Sequence, residues 1–519
     1  MTSQIVIDGE SLDLRDVVAV ARERASVGLH DSARERLARV RRIVDDIVAR
    51  NEPVYGVNTG FGKLSDIAIP PGRLAELQTN LVRSHAAGVG APLPEDEARA
   101  VMLLRANVLA KGRSGIRPEV VDLLLALLNA GLYPPIPEQG SVGASGDLAP
   151  LAHLALALLG EGMLLRDGEA PQSAKALLAA AGLASVELGP KEGLALINGT
   201  QAHTGIAALA LWDARGLWAT SHVSGAATLE ALLGTPVAFD ARIHEVRGQP
   251  GQMWSATLFR SLTAESAIRE SHRINDPRVQ DAYALRCMPQ VMGPVHDALE
   301  FAEGVVAREL NAATDNPLVF DDGVMLSGGN FHGQAVGMAC DFVAIALTNL
   351  GTMAERRIDR LVNPDLNQGL PPFLARDAGV HSGYMIAQVT AAALASECKV
   401  LSHPASVDSI PTDGGKEDYV PMAMSAAVKL RRIVHNVRHI LAIELLCAIQ
   451  GLEFRRPLTS SAPVERAYAL LRGAVPSMDR DRVVSTDIAA VATQIARGAY
   501  EHIVWDLRDT STLSAATSL

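Results

Sequence analysis

The chain has 519 residues and a formal net charge of −11, with a sequence pI near 5.7. That balance provides no basic footprint for nucleic acid or an anionic membrane surface, so a small-molecule partner is the better expectation. Hydrophobic residues make up 48% and aromatic residues only 4%, and a core of Ala, Leu, Val and Ile favours packed helices over sheet.

From the beginning of the chain, QIVIDGESL reads as a short strand and turn. The acidic start lacks the basic and apolar blocks of a secretory signal, and no later uninterrupted stretch reads as apolar enough to span a bilayer, so a cytoplasmic location with no membrane partner is expected. Leu37, Val40, Ile43, Val44 and Ile47 recur at helical spacing within RERLARVRRIVDDIVAR, predicting an amphipathic helix. Residues 338–362 and 426–454 are long, Pro-free and rich in helix formers, as expected of central helices in a large bundle. The predicted fold class is therefore mainly α. Cys287, Cys340, Cys398 and Cys447 show no CxxC or Cys/His ligand spacing and read as small apolar residues rather than as a disulfide framework or zinc site.

Polar punctuation gathers in eight segments read as loops: 55–64, 80–92, 140–156, 196–201, 279–290, 311–320, 327–334 and 405–422. None carries a GxGxxG or GxxxxGK[ST] fingerprint, so no nucleotide is expected. Ser145 in GASGD lacks the GxSxG spacing of a hydrolase nucleophile. His85, His153 and His332 form no i,i+4 ligand pair, and no metal is expected.

The sequence GSVGASGDLA (140–149) permits a different chemistry. If a tight turn brings the Gly146 nitrogen onto the Ala144 carbonyl carbon, loss of water gives a five-membered imidazolone, and dehydration of Ser145 leaves an exocyclic methylene. Glycine leaves the attacking amide unobstructed, alanine is small, and serine has a β-hydroxyl to lose.

With these residues in view, the chain resembles the aromatic amino acid ammonia-lyases and aminomutases. The eight segments match that family in order, from Tyr55 to Met422, and YGVNTGFGKL, RSHAAGVG, GASGDLAPLAHLALAL, EGLALINGTQA, VQDAYALRC and SGGNFHGQ are most similar to its histidine ammonia-lyase branch. The resemblance implies a large central bundle of long helices with a loop-rich N-terminal lobe, as in the histidine and phenylalanine ammonia-lyases. Residues 1–200 would form the lobe with the cofactor-forming loop, and residues 201–519 the bundle and C-terminal helices, together one catalytic unit in a homotetramer. It also implies a 4-methylidene-imidazol-5-one cofactor formed from Ala144, Ser145 and Gly146, to which the substrate amine adds.

By the same resemblance, Tyr283 matches the base that removes a β-proton, and Tyr55 its partner near the leaving amine. Arg286 matches the clamp on the substrate carboxylate. Asn198 matches a residue contacting both cofactor and carboxylate, Gln280 and Asn330 belong to the same polar wall, and Phe331 lies beside the cofactor.

The expected substrate is an amino acid. The pair Ser84-His85 matches histidine lyases, although tyrosine aminomutases can carry the same pair and an imidazole can hydrogen-bond a phenol as well as another imidazole. Glu417 matches a carboxylate that histidine lyases place near the substrate ring. The surrounding segment departs from the usual TSANQEDHVSM at Asp413, Gly414, Gly415, Lys416, Tyr419 and Pro421. The leading expectation is a carbon-nitrogen lyase converting L-histidine to trans-urocanate and ammonia; the alternative is a tyrosine 2,3-aminomutase or tyrosine ammonia-lyase.

Overall fold

In the computed structural model, residues 4–50, 52–166 and 168–509 are described, and they are mainly helical. The opening apolar run forms strand Ile5–Ile7, paired in parallel with Val27–Leu29. The amphipathic pattern that follows forms helix Asp31–Arg50, which buries Leu37, Val40, Val44 and Ile47. Val40, Val44 and Ile47 then join Val57 and Val319 in one apolar cluster, so a helix face, a turn and the short strand Leu318–Val319 share a core. Strands are few and short: Leu132–Tyr133, Met163–Arg166 and Gln172–Ser173 make one small antiparallel sheet.

The described residues fall in two compact units. One lies within Met1–Trp212, Ala302–Asp341 and Pro404–Lys429, and the other within Asp213–Phe301, Phe342–His403 and Leu430–Leu519. The second unit is a helical core organised around buried polar groups. Glu444 accepts hydrogen bonds from Arg357 Nη2 at 2.9 Å, Ser224 Oγ at 2.8 Å and Thr228 Oγ1 at 2.9 Å. An unpaired carboxylate there would be costly, and this set compensates it. In the same unit, the Trp218 indole N–H donates to the Met292 carbonyl at 2.9 Å.

Two sequence expectations need correction. Helices Gln334–Val362 and Ala423–Glu453 are each long and apolar enough to cross a membrane by length and composition. Reading for an uninterrupted run overlooks them because each carries scattered charges; most of their apolar residues are buried within the protein, as suits core helices. Several segments read as loops also end inside helices. Ser84 and His85 form the last turn of helix Leu74–His85, residues 148–156 lie in helix Leu148–Leu158, and Tyr283–Arg286 is a short helix. Polar residues at helix ends can cap them or complement the backbone dipole, and in composition they look like loop. Of the cysteines, Cys340, Cys398 and Cys447 are buried and Cys287 is partly buried.

Candidate active site

The segment 140–147 is a tight turn built from backbone constraints. Gly146 has φ +68°, and a Cβ there would overlap the Gly199 carbonyl group, so only glycine fits. Ala144 is buried with Val420 and Met422. The Asp147 N–H donates to the Gly199 carbonyl at 2.7 Å, tying the end of the turn to the 198–200 connection between two helices.

Ser145 between them is held at both of its polar ends. Its hydroxyl donates to Glu417, whose other oxygen accepts from Thr412 Oγ1 at 2.5 Å. Its carbonyl accepts from Asn198 Nδ2 at 2.8 Å. Cyclisation of the tripeptide expels the Ala144 oxygen and retains that of Ser145, so Asn198 donates to the one carbonyl oxygen that the ring would keep. Asn198 is itself buried, with Oδ1 lacking a hydrogen-bond partner among the described residues. Arg105 supports the same strand of backbone, donating to the carbonyls of Ala195 at 2.8 Å and Asn198 at 3.1 Å. Burial depresses its pKa to about 10, which leaves it charged at neutral pH.

Ser145, Asn198 and Glu417 open onto a cavity of about 550 Å³ whose lining also includes Tyr55, His85 and Asp413. Much of the remaining wall is apolar, from Leu64, Ile67, Leu77 and Leu194, a surface suited to a small ring. His85 Nδ1 lies 2.8 Å from the Leu81 carbonyl. A carbonyl can only accept, so Nδ1 carries a proton, and the nitrogen free to meet a ligand is Nε2. Tyr55 is half-buried, and its hydroxyl accepts from the Gly62 N–H at 3.4 Å. Burial pushes the Tyr55 phenol above its usual value; the carboxylates of Asp413, Asp315 and Glu417 add to this, against the opposing Gly62 N–H. The phenol is therefore held protonated. Lys416, next to Glu417 in sequence, is exposed.

The remaining expected residues are not part of this cavity lining. Asn330 is exposed and donates to the Ala313 carbonyl at 3.1 Å, and Phe331 is half-buried. Their segment nonetheless meets the tripeptide turn, because the Gly333 N–H donates to the Gly143 carbonyl at 2.9 Å. Gln280, Tyr283 and Arg286 belong to the second unit. Gln280 is exposed, Tyr283 is 69% exposed, and the Arg286 guanidinium carbon stands 4.7 Å from the Tyr283 ring centroid. Arg286 Nε is buried and unpartnered among the described residues.

Sequence reading missed three contributors around the tripeptide: His203, Ser141 and Arg105. His203 Nδ1 lies 2.8 Å from Asp147, and Ser141 Oγ donates to the same carboxylate at 2.6 Å. Asp147 adjoining the tripeptide was the one available signal, since a carboxylate buried there requires partners.

The family described as aromatic amino acid lyase matches residues 12–473. The chain is 54% identical over 505 residues to a histidine ammonia-lyase of Anaeromyxobacter sp. (strain K), covering 96% of this chain and 99% of that protein. It superposes on the crystal structure of histidine ammonia-lyase from Trypanosoma cruzi with a TM-score of 0.90 and 44% identity, over 97% of this chain and 95% of that one. A tyrosine aminomutase from Streptomyces globisporus matches with a TM-score of 0.92 and 39% identity, over 97% of this chain and 99% of that one. With a family match across most of its length and near full-length relatives at this identity, the chain belongs to the aromatic amino acid lyase family.

Proposed function

We propose that this chain is a carbon-nitrogen lyase that eliminates ammonia from L-histidine to give trans-urocanate. The observation that carries the reading is the convergence of Ser145, Asn198, His85 and Glu417 on one cavity, supported by near full-length identity to histidine ammonia-lyases. The residues Ala144, Ser145 and Gly146 fit a 4-methylidene-imidazol-5-one, which would supply an electrophilic carbon that turns the substrate amine into a leaving group. Asn198 steadies the Ser145 carbonyl oxygen. His85 Nε2 accepts from the substrate ring, and the Glu417 carboxylate favours a ring that donates or carries charge. Tyr55, kept protonated, gives a proton to the departing nitrogen.

Tyr283 takes the β-proton, and Arg286 holds the substrate carboxylate with its unpaired donors. Gln280, Asn330 and Phe331 complete the walls. The active form in this reading is a cytoplasmic homotetramer whose active sites draw on more than one chain, with no nucleic acid or membrane partner and no metal or nucleotide cofactor.

The deciding experiment follows purified protein with L-histidine, L-tyrosine and L-phenylalanine by ultraviolet absorbance and resolves the products by chromatography. Histidine is expected to have the highest kcat/KM. Tyrosine above histidine overturns the assignment, and β-tyrosine as product selects the aminomutase, a reading favoured by the 413–421 departures and by a phenol's ability to donate to His85.

A further inference from the structure

His203 occupies the first turn of helix Gln201–Ala231, completely buried, and its contacts converge on the residue that follows the tripeptide. Its backbone N–H donates to Asp147 Oδ2 at 2.9 Å, and Nδ1 lies 2.8 Å from Oδ2 and 2.9 Å from Oδ1. Since a carboxylate accepts, Nδ1 bears the proton. Asp147 is also completely buried, and Ser141 Oγ donates to its Oδ1 at 2.6 Å. Ser141 Oγ in turn accepts from the Gly143 N–H at 3.0 Å. The two ends of the turn, 141–143 and 147, are thereby cross-linked through one carboxylate that His203 anchors to a long helix.

The imidazole is fixed on its other side as well. A Cβ at Gly333 would stand 2.6 Å from His203 Cε1 and 2.7 Å from Nε2, and the Gly333 N–H holds the Gly143 carbonyl. His203 Nε2 is buried without a partner among the described residues, and His203 does not line the substrate cavity. Substrate contact therefore does not account for it.

Resting on the reading that Ala144, Ser145 and Gly146 mature into the electrophile, we propose that His203 is a positioning residue for that maturation. By clamping Asp147 it fixes the Gly146 side of the turn, while Ser141 and Gly143 fix the Ala144 side, so the nitrogen stays within reach of the carbonyl carbon. The bond from Gly146 N to Ala144 C forms. The Ala144 oxygen departs as water with one hydrogen from Gly146 N and one from Ser145 N, leaving a double bond between Ala144 C and Ser145 N. A second water takes the Ser145 Cα hydrogen and Cβ hydroxyl, leaving a Cα=Cβ double bond. No oxidant or co-reactant is consumed, and His203 exchanges no covalent bond.

The test is time-resolved intact mass of the purified full-length chain, comparing wild type with His203→Asn and His203→Phe. Asparagine keeps an N–H donor but loses volume; phenylalanine keeps the ring volume but has no donor. A clamp predicts that the Phe variant matures about ten- to a hundredfold more slowly, accumulating chains with one or both waters retained, while the Asn variant recovers most of the rate. Space filling alone predicts the reverse order, which overturns the proposal, as does maturation of the Phe variant at the wild-type rate. Should the Phe variant not fold, His203→Leu takes its place as a donorless chain of volume close to histidine, with the same expected and overturning results. Wild type lacking the two-water deficit would instead sink the electrophile reading itself.

Discussion

The turn at 140–147 and the segment 279–287 both carry residues expected to act on substrate, yet they are held in opposite ways. In the turn, Asp147 and Ala144 are buried and Ser145 is hydrogen-bonded through its hydroxyl and its carbonyl. In the other segment, Gln280 and Tyr283 are exposed, and the guanidinium beside Tyr283 keeps an unpartnered Nε. The difference suits the roles proposed for the two segments. A reaction of the chain with itself needs its atoms fixed in advance, so the fold satisfies them internally. Groups that grip a substrate carboxylate or take its proton must keep their hydrogen-bonding capacity free for it.

The largest expected effect breaks the first region. Ser145→Ala cannot form the methylene, and turnover should fall by at least about a thousandfold, about 4 kcal/mol of barrier, with thermal stability close to wild type and an intact mass lower than the encoded variant chain by at most the one water of ring closure. Full activity in that variant would remove the tripeptide from the mechanism. Next comes the second region: Tyr283→Phe should lower kcat by about a hundred- to ten-thousandfold with a modest change in KM, because a proton acceptor is lost while the carboxylate clamp remains. Activity recovered when Tyr283→Phe and Tyr55→Phe chains are co-expressed would show that active sites draw the two tyrosines from different subunits. No recovery in verified mixed tetramers contradicts that arrangement.

What was legible in the sequence divides along similar lines. Helix Asp31–Arg50 could be read because its periodic apolar face is a local signal, and a chemistry could be proposed for Ala144-Ser145-Gly146 because it needs only three consecutive residues. The departures at 413–416 stood out, but the sequence could not reveal that Asp413 accepts from the Lys63 N–H at 3.3 Å and contributes to holding Tyr55 protonated. Glu417 lies 272 residues from the hydroxyl it accepts, and His203 lies 56 from Asp147. Contacts at such separations leave no periodicity. His85 lines the cavity from the last turn of a helix rather than from a loop, and its hydrogen bond to the Leu81 carbonyl one turn earlier leaves no mark in composition.

A smaller effect sharpens the substrate side of the comparison. Glu417→Gln removes the charge but keeps one oxygen that accepts from Ser145 or Thr412 and an NH2 that donates to the other hydroxyl, so maturation by intact mass should proceed. Histidine turnover should nevertheless fall about ten- to a hundredfold, the equivalent of about 1.5–3 kcal/mol for a lost charged hydrogen bond. Unchanged kcat/KM on histidine would mean that Glu417 serves the turn rather than the substrate.

The smallest expected effect tests how far the turn depends on its own buried charges. Burial pushes the Asp147 carboxyl up, but the attraction of His203 and the hydrogen bonds from His203 and Ser141 outweigh it and leave the pKa below the usual value. Burial pushes the His203 imidazole down, and Asp147 outweighs that too, leaving it raised. A depressed carboxylate contributes stability above its unfolded value of 3.8 and loses it as pH falls through the folded value; a raised imidazole contributes below its unfolded value of 6.5 and loses it as pH rises through the folded value. Both contributions are therefore complete between those two unfolded values. His203→Asn keeps a donor but cannot carry the charge, so its deficit relative to wild type should be about 1 kcal/mol in that window. Thermal midpoints measured from acid to mildly alkaline pH should show the gap narrowing on the alkaline side, as the wild-type imidazole loses its proton. A gap that widens there instead would mean that His203 is neutral in the folded chain and holds Asp147 by hydrogen bonding alone.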